Sequence, residues 1–250
     1  MSRSVNILGL VSKTHDTGLA LLCDGQPKVI FEEERFNRQK HTKMFPHQSF
    51  ETLFKDGAIG LADIDYLTIP WDTKLLAGSF FRVVTGNMPA SLNLLRPAAH
   101  ATQDGRIVNL WMRLQIAMRR RFKTLKLPPL VQVGHHDAHA AIFFVSPFED
   151  ASVVVMDGHG DVSASTAYEG TGNQLRRTWQ LGFFDSLGML YTCGTQHLGF
   201  KPFEEGTVMA LAACGEPTYV DRFRDVVILE DEGRFRLNRD YVSVDRYGLL

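Results

Sequence analysis

Cysteine is scarce in this chain: Cys23, Cys193 and Cys214 are scattered, odd in number and without metal-type spacing. That argues against a disulfide framework and suits a reducing compartment. No apolar run approaches the roughly 18 residues of a membrane span. Met1-Ser2-Arg3-Ser4 leads straight into a strand-like stretch with no secretory leader. Nor is there an excess of charge of either sign. The 27 lysines and arginines face 28 acids, a net charge of −1, so neither nucleic acid nor a membrane is expected as partner. These absences predict a cytoplasmic protein. What is present, 44% hydrophobic and 22% charged residues over 250 positions, is enough for a packed core in one large domain or two small ones.

The chemistry-bearing residues gather between Val131 and Asp161, a stretch with four of the nine histidines. Behind the apolar Val131 and Val133 comes Gly134-His135-His136-Asp137-Ala138-His139-Ala140-Ala141. Helical residues four apart share a face, with Cβ atoms about 6 Å apart, so His135 and His139 can converge on one ion. The β-branched run Ser152 to Met156 predicts a buried strand. It discharges into Asp157-Gly158-His159-Gly160-Asp161, whose glycines let the backbone approach a metal-bound phosphate or a nucleotide. Each motif alone has an ordinary reading, a coincidence on a helix surface for the histidines and a turn for the acidic loop. Together, one short strand apart, they are more specific. A zinc hydrolase on the same histidines would want the Glu of H-E-x-x-H, and Asp137 stands elsewhere.

In chain order, Val5 to Val11, Leu19 to Cys23 and Lys28 to Glu33 predict three strands, the last two joined by the hairpin signal Asp24-Gly25. Between the first two lies Ser12-Lys13-Thr14-His15-Asp16-Thr17-Gly18, a loop of donors suited to phosphate oxygens, with the imidazole of His15 among them as a group able to carry a proton. The charged run Glu32 to His41 reads as a solvated face closed by Phe45-Pro46. A helix from Gln48 to Lys55 and a strand from Tyr66 to Ile69 complete a β-β-β-α-β opening. Trp71 to Leu127 breaks this rhythm and is expected as an insertion. It contains one amphipathic helix on Ile107, Leu110, Trp111, Leu114 and Met118 that ends in Arg119-Arg120-Arg121. Those cations suit a helix C-terminus better than a nucleic-acid patch, since interleaved aromatics are missing. Ser163 to Glu169 and Gln174 to Leu181 form a hairpin, giving a second meander that echoes the first. Ser186 reads as the N-cap of a helix through His197, with Leu187, Leu190 and Tyr191 on its apolar face and Gly199 behind it. Glu204 to Gly215 reads as a small-residue helix, and Val226 to Leu229 with Arg234 to Leu237 as a last hairpin.

In this order the motifs resemble the nodulation-type O-carbamoyltransferases, whose first domain is similar to the tRNA threonylcarbamoyl transferase. They are His15-Asp16, Glu33-Glu34-Arg35-Phe36, Lys40-His41, His135-His136 with His139, Asp157-Gly158 with Gly160-Asp161, Ser186-Leu187-Gly188 and Val208-Met209. The resemblance implies a duplicated α/β fold of the actin/hexokinase/Hsp70 (ASKHA) class. Residues 1–250 would be the N-terminal portion, with a helical insertion at about 71–127 and the family's C-terminal YrdC-like domain absent. It implies an ATP-dependent O-carbamoyltransferase: carbamoyl-adenylate, made from carbamoyl phosphate and ATP, gives its carbamoyl group to a hydroxyl of a small-molecule acceptor, a secondary metabolite or glycan. Carried over, His15 would be the catalytic base. Lys40, Asp157, Gly158, Gly160 and Asp161 would hold the adenylate, and His135 and His139 would ligate iron or another divalent metal. A homodimer is compatible with this reading. Two departures stand out. Thr207 and Ala210 replace a lysine and a glycine of the family pattern, and the family's third metal ligand, an aspartate far downstream, has no counterpart before Leu250. They support an alternative, a catalytically inactive relative acting as a partner or scaffold. The chain is therefore expected to be the front part of a longer enzyme, metal-poor and inactive in transfer by itself.

Overall fold

Period-2 alternation lets β1 (Asn6–Val11) bury Leu8 and Leu10 on one face of a sheet. The computed structural model describes residues 4–12, 14–86, 88–89 and 110–242. They belong to two units, one of residues 1–77 and 103–138 and one of residues 78–102 and 139–250.

In the first unit β1 pairs antiparallel with β2 (Gly18–Cys23), and β2 with β3 (Gln26–Glu32). Asp24 at φ 51° and Gly25 at φ 77° occupy the two left-handed positions of a tight hairpin. On its other side β1 pairs parallel with β4 (Tyr66–Ile69), and β4 pairs parallel with β5 (Leu130–Gln132). The order is β3-β2-β1-β4-β5.

Parallel neighbours need a crossover rather than a turn, and the segment expected as an insertion supplies it. Helix α4 (Leu110–Phe122) places Leu110, Leu114 and Met118 in one core with Leu8, Leu10, Leu67 and Phe50. Trp111, expected on the buried stripe, is instead 39% exposed, and Ile107 lies outside the described residues. Another helix of the segment, α3 (Thr73–Gly86), starts directly after β4, its first amide and the Thr73 hydroxyl both donating to Gln132 Oε1 at 2.8 Å.

The charged run after β3 is not a wholly solvated face. It forms α1 (Glu33–Asn37), and Glu33 is 2% exposed. Its carboxylate accepts the backbone N–H groups of Gln48 at 3.0 Å and Ser49 at 2.9 Å and the Ser49 hydroxyl at 2.6 Å. These amides open α2 (His47–Phe54) and have no partner within their own helix, so a buried carboxylate is held where the helix dipole favours it. Phe50 and Phe54 of α2 then meet Phe122 of α4 edge-on, with ring centroids 5.2 and 5.8 Å away.

The second unit carries the expected second meander, β6 (Asp150–Met156), β7 (Ser165–Thr171) and β8 (Gln174–Leu181), all antiparallel. The run expected as a buried strand is covered on one side only: Val155 is buried, while Val154 and Met156 on the alternate face are more than half exposed. β-Branched composition favours a strand without saying how many of its faces are covered. Helix α6 (Leu187–His197) follows Ser186, whose hydroxyl accepts from the Met189 amide as an N-cap should, and Gly199 behind it has φ 89°. Leu187, Leu190 and Cys193 pack against Leu237 and Val242, whereas Tyr191 points out at 40% exposure, contrary to expectation. Then come α7 (Glu205–Ala212), the unforeseen α8 (Val220–Val226), and the hairpin β9 (Val227–Leu229) and β10 (Phe235–Leu237). Each unit has an antiparallel three-strand meander followed by helices, a mixed α/β architecture. No described helix is long and apolar enough to cross a membrane.

Candidate functional site

Polar groups collect at the carboxyl ends of the first unit's parallel strands, where α/β sheets leave a crevice for ligands. β1 runs into the loop with His15 and Asp16, β4 into Pro70-Trp71-Asp72, and β5 into Gly134 and His135.

At the end of β1 the Asp16 carboxylate bridges two histidines. His15 Nδ1 lies 2.7 Å from Asp16 Oδ2, and His41 Nδ1 lies 2.9 Å from Asp16 Oδ1. Both Asp16 and His41 adopt left-handed backbone, φ 56° and 53°, so two tight turns present the three side chains. The loops are tied together. The Thr17 amide donates to the Thr42 carbonyl at 3.2 Å, the His41 amide to Glu34 Oε2 at 3.2 Å, and Asn37 Nδ2 to the Thr42 hydroxyl at 3.3 Å. Burial pushes the Asp16 carboxyl up, but the hydrogen bonds from His15 and His41 and the charge on those rings outweigh it and hold the group below its ordinary 3.8. Lys40 stands exposed on the same loop as His41. Sequence reasoning placed His15 here and missed His41, which is 25 residues away and left its only trace in the Lys40-His41 motif.

After β5, the helix α5 (His135–Ala140) forms as the spacing predicts. The His135 ring stacks on Trp71 with centroids 4.0 Å apart, and its Nδ1 lies 3.0 Å from the Pro70 carbonyl. A carbonyl only accepts, so Nδ1 carries the proton and Nε2 keeps the lone pair that a metal needs. His136 is buried. The ligating atoms of His135 and His139 come within 4.8 Å of each other, as do those of His139 and Asp157. His139 Nε2 is 3.8 Å from Asp157 Oδ2, and both residues line an open concavity of about 330 Å³ with Val153 and Val155. Imidazole and carboxylate are donors of the kind zinc and ferrous iron take, and within the second unit His139 and Asp157 bring one of each together. A larger concavity of about 540 Å³, around Tyr219, Phe223 and Leu229, is apolar and holds none of these groups.

The glycine loop after β6 is largely closed on itself. The Gly158 amide donates to Asp157 Oδ1 at 2.6 Å, the Gly160 amide to the Ser163 carbonyl at 2.6 Å, and Asp161 is 4% exposed. The start of α6 grips this loop: the Ser186 hydroxyl lies 3.0 Å from the Asp157 carbonyl and 2.6 Å from that of Gly158. At Gly188 a Cβ would stand 2.7 Å from the Gly158 nitrogen and 2.8 Å from the Asp157 carbonyl carbon, so only glycine allows this approach. Of the residues expected to hold an adenylate, Asp157 thus faces His139, Gly158 and Gly160 donate within their own loop, and Asp161 is buried beside them.

Residues 6–246 match the family model of the carbamoyltransferase N-terminus, and the chain belongs to that family. It is similar to an uncharacterised protein of Synechocystis sp., at 35% identity over 95% of this chain and 39% of the relative. It is also similar to the nodulation protein NolNO of Sinorhizobium fredii, at 29% identity over 92% of this chain and 32% of the relative. The chain therefore spans well under half the length of these relatives. Among solved structures, YeaZ from Pseudomonas aeruginosa aligns at a TM-score of 0.33 and 10% identity over 70% of this chain and 65% of that one, too slight a likeness to argue from.

Proposed function

We propose that this chain takes part in transferring a carbamoyl group from carbamoyl-adenylate, itself made from carbamoyl phosphate and ATP, to a hydroxyl of a small-molecule acceptor. The observation that carries the reading is the family match over residues 6–246. His15 is the base. With Nδ1 toward Asp16, its Nε2 lone pair takes the acceptor hydroxyl's proton as that oxygen bonds to the carbamoyl carbon and the bond to the phosphate oxygen breaks, releasing AMP. Such positioned proton transfer is worth roughly 100- to 10,000-fold in rate. Lys40, exposed on the His41 loop, is a counter-charge for the adenylate phosphate. His135 and His139, one helix turn apart, would ligate iron or another divalent metal, which when bound supplies Lewis-acid polarisation of a carbonyl or phosphoryl oxygen. A second reading, an inactive partner or scaffold, is favoured by Thr207, an exposed residue of α7 where the resembled family has a lysine.

The test uses a non-hydrolysable sulfamate analogue of carbamoyl-adenylate. Calorimetry should show saturable binding to the wild type and equally to His15→Asn, while in the longer enzyme that carries the adenylate-forming domain His15→Asn alone fails to move labelled carbamoyl from carbamoyl phosphate and ATP to polyol and aminosugar acceptors. No binding by the wild type would favour the scaffold reading. Equal loss of binding and transfer in the variant would reassign His15 to adenylate binding.

A further inference from the structure

The Asp16 carboxylate is half exposed and adjacent in sequence to His15, a position from which a side chain held by one neighbour alone would swing between rotamers. It is not held by one neighbour alone. His41, from a separate loop, takes its other oxygen, and three further hydrogen bonds from Thr17, Asn37 and His41 itself keep that loop in place. An ionised carboxylate offers only acceptors, so both rings must donate to it through Nδ1–H, and each then carries its lone pair on Nε2. Histidine more commonly places the neutral-ring proton on Nε2, which would leave His15 unable to act as a base through that atom.

We propose that Asp16 is a positioning residue that fixes the Nδ1–H tautomer of both His15 and His41, and that His41 serves the site by pinning Asp16 against His15. The catalytic half of this proposal rests on the transfer reading given above. The tautomer half stands without it.

The experiment is a long-range proton–nitrogen correlation spectrum of the protein labelled with 15N-histidine, recorded at a pH high enough for neutral rings. In the wild type both His15 and His41 should show the Nδ1–H pattern. Asp16→Asn tolerates the left-handed backbone but offers one acceptor and one donor in place of two acceptors, so one ring should keep Nδ1–H and the other switch to Nε2–H. In the transfer assay His41→Ala should lower kcat at least about tenfold, as loss of an orienting partner does, with acceptor KM within about twofold. His41→Gln, whose amide can still donate to Asp16, should recover most of that loss. Either ring in the Nε2–H form in the wild type overturns the proposal, as does an Asp16→Asn spectrum in which both rings keep Nδ1–H. Nδ1–H signals for both rings without any transfer activity would leave the tautomer assignment standing and remove the carbamoyl-transfer reading instead. Should Asp16→Asn fail to fold, the wild-type spectrum and the alanine–glutamine pair at His41 decide the matter.

Discussion

Glu33 is a residue whose charge composition would assign to water, yet it is 2% exposed and caps α2 with three hydrogen bonds. The carboxylate has lone pairs enough for all three donors, and an amide of the same shape does not, because its nitrogen would face at least one of them. Glu33→Gln should therefore lower stability by about 1–3 kcal/mol, the cost of a buried group left without its partner, read as a shift of the urea midpoint. A change below about 0.5 kcal/mol, the range of ordinary surface substitutions, would mean that the cap contributes nothing. The neighbouring Glu34 works by a different route, steadying the His41 amide from a half-buried position, and illustrates how adjacent acids of one motif serve unlike ends.

Among the elements, α6 does more than its amphipathic pattern announces. Its N-cap Ser186 and its second residue Gly188 lie against the backbone of Asp157 and Gly158, so the helix start fixes the loop that brings Asp157 to His139. The atoms facing Gly188 are backbone and cannot turn aside, so Gly188→Ala should cost about 1–3 kcal/mol as an overpacking change. Gly194, on the same helix with open space around the position of a Cβ, is the control. Gly194→Ala should be neutral or stabilising by up to about 1 kcal/mol. Equal melting temperatures for the two variants would show that the close approach at Gly188 is not retained in solution.

At the scale of the whole molecule, the chain covers 39% and 32% of two relatives' lengths, and the sequence reading expected it to be metal-poor for want of a third ligand downstream. Asp157, read first as an adenylate contact, stands beside His139 in the second unit and offers a carboxylate next to that imidazole. Titration with zinc or ferrous iron should thus give a single bound equivalent, and His139→Ala and Asp157→Asn should each weaken it by at least about tenfold, on the scale of losing a ligand or its orientation. Stoichiometric binding indifferent to both replacements would put the metal elsewhere.

What the sequence determined by itself was local. Asp24-Gly25 dictates a tight turn because those residues accept left-handed backbone, Ser186 starts a helix because its hydroxyl meets an amide three residues on, and the histidine spacing puts His135 and His139 on one turn. Each outcome depends on neighbours within a few positions, which is why composition and periodicity found them and motif order found the family. Tertiary structure alone decided the rest: that His41 shares Asp16 with His15, that Glu33 is buried under α2, that β6 is covered on one face, and that α4 packs its buried stripe into the core of the first sheet. Those outcomes depend on which distant segment arrives at a given side chain, and a contact between residues tens of positions apart is set by strand order and packing, to which a local reading of residue types is blind.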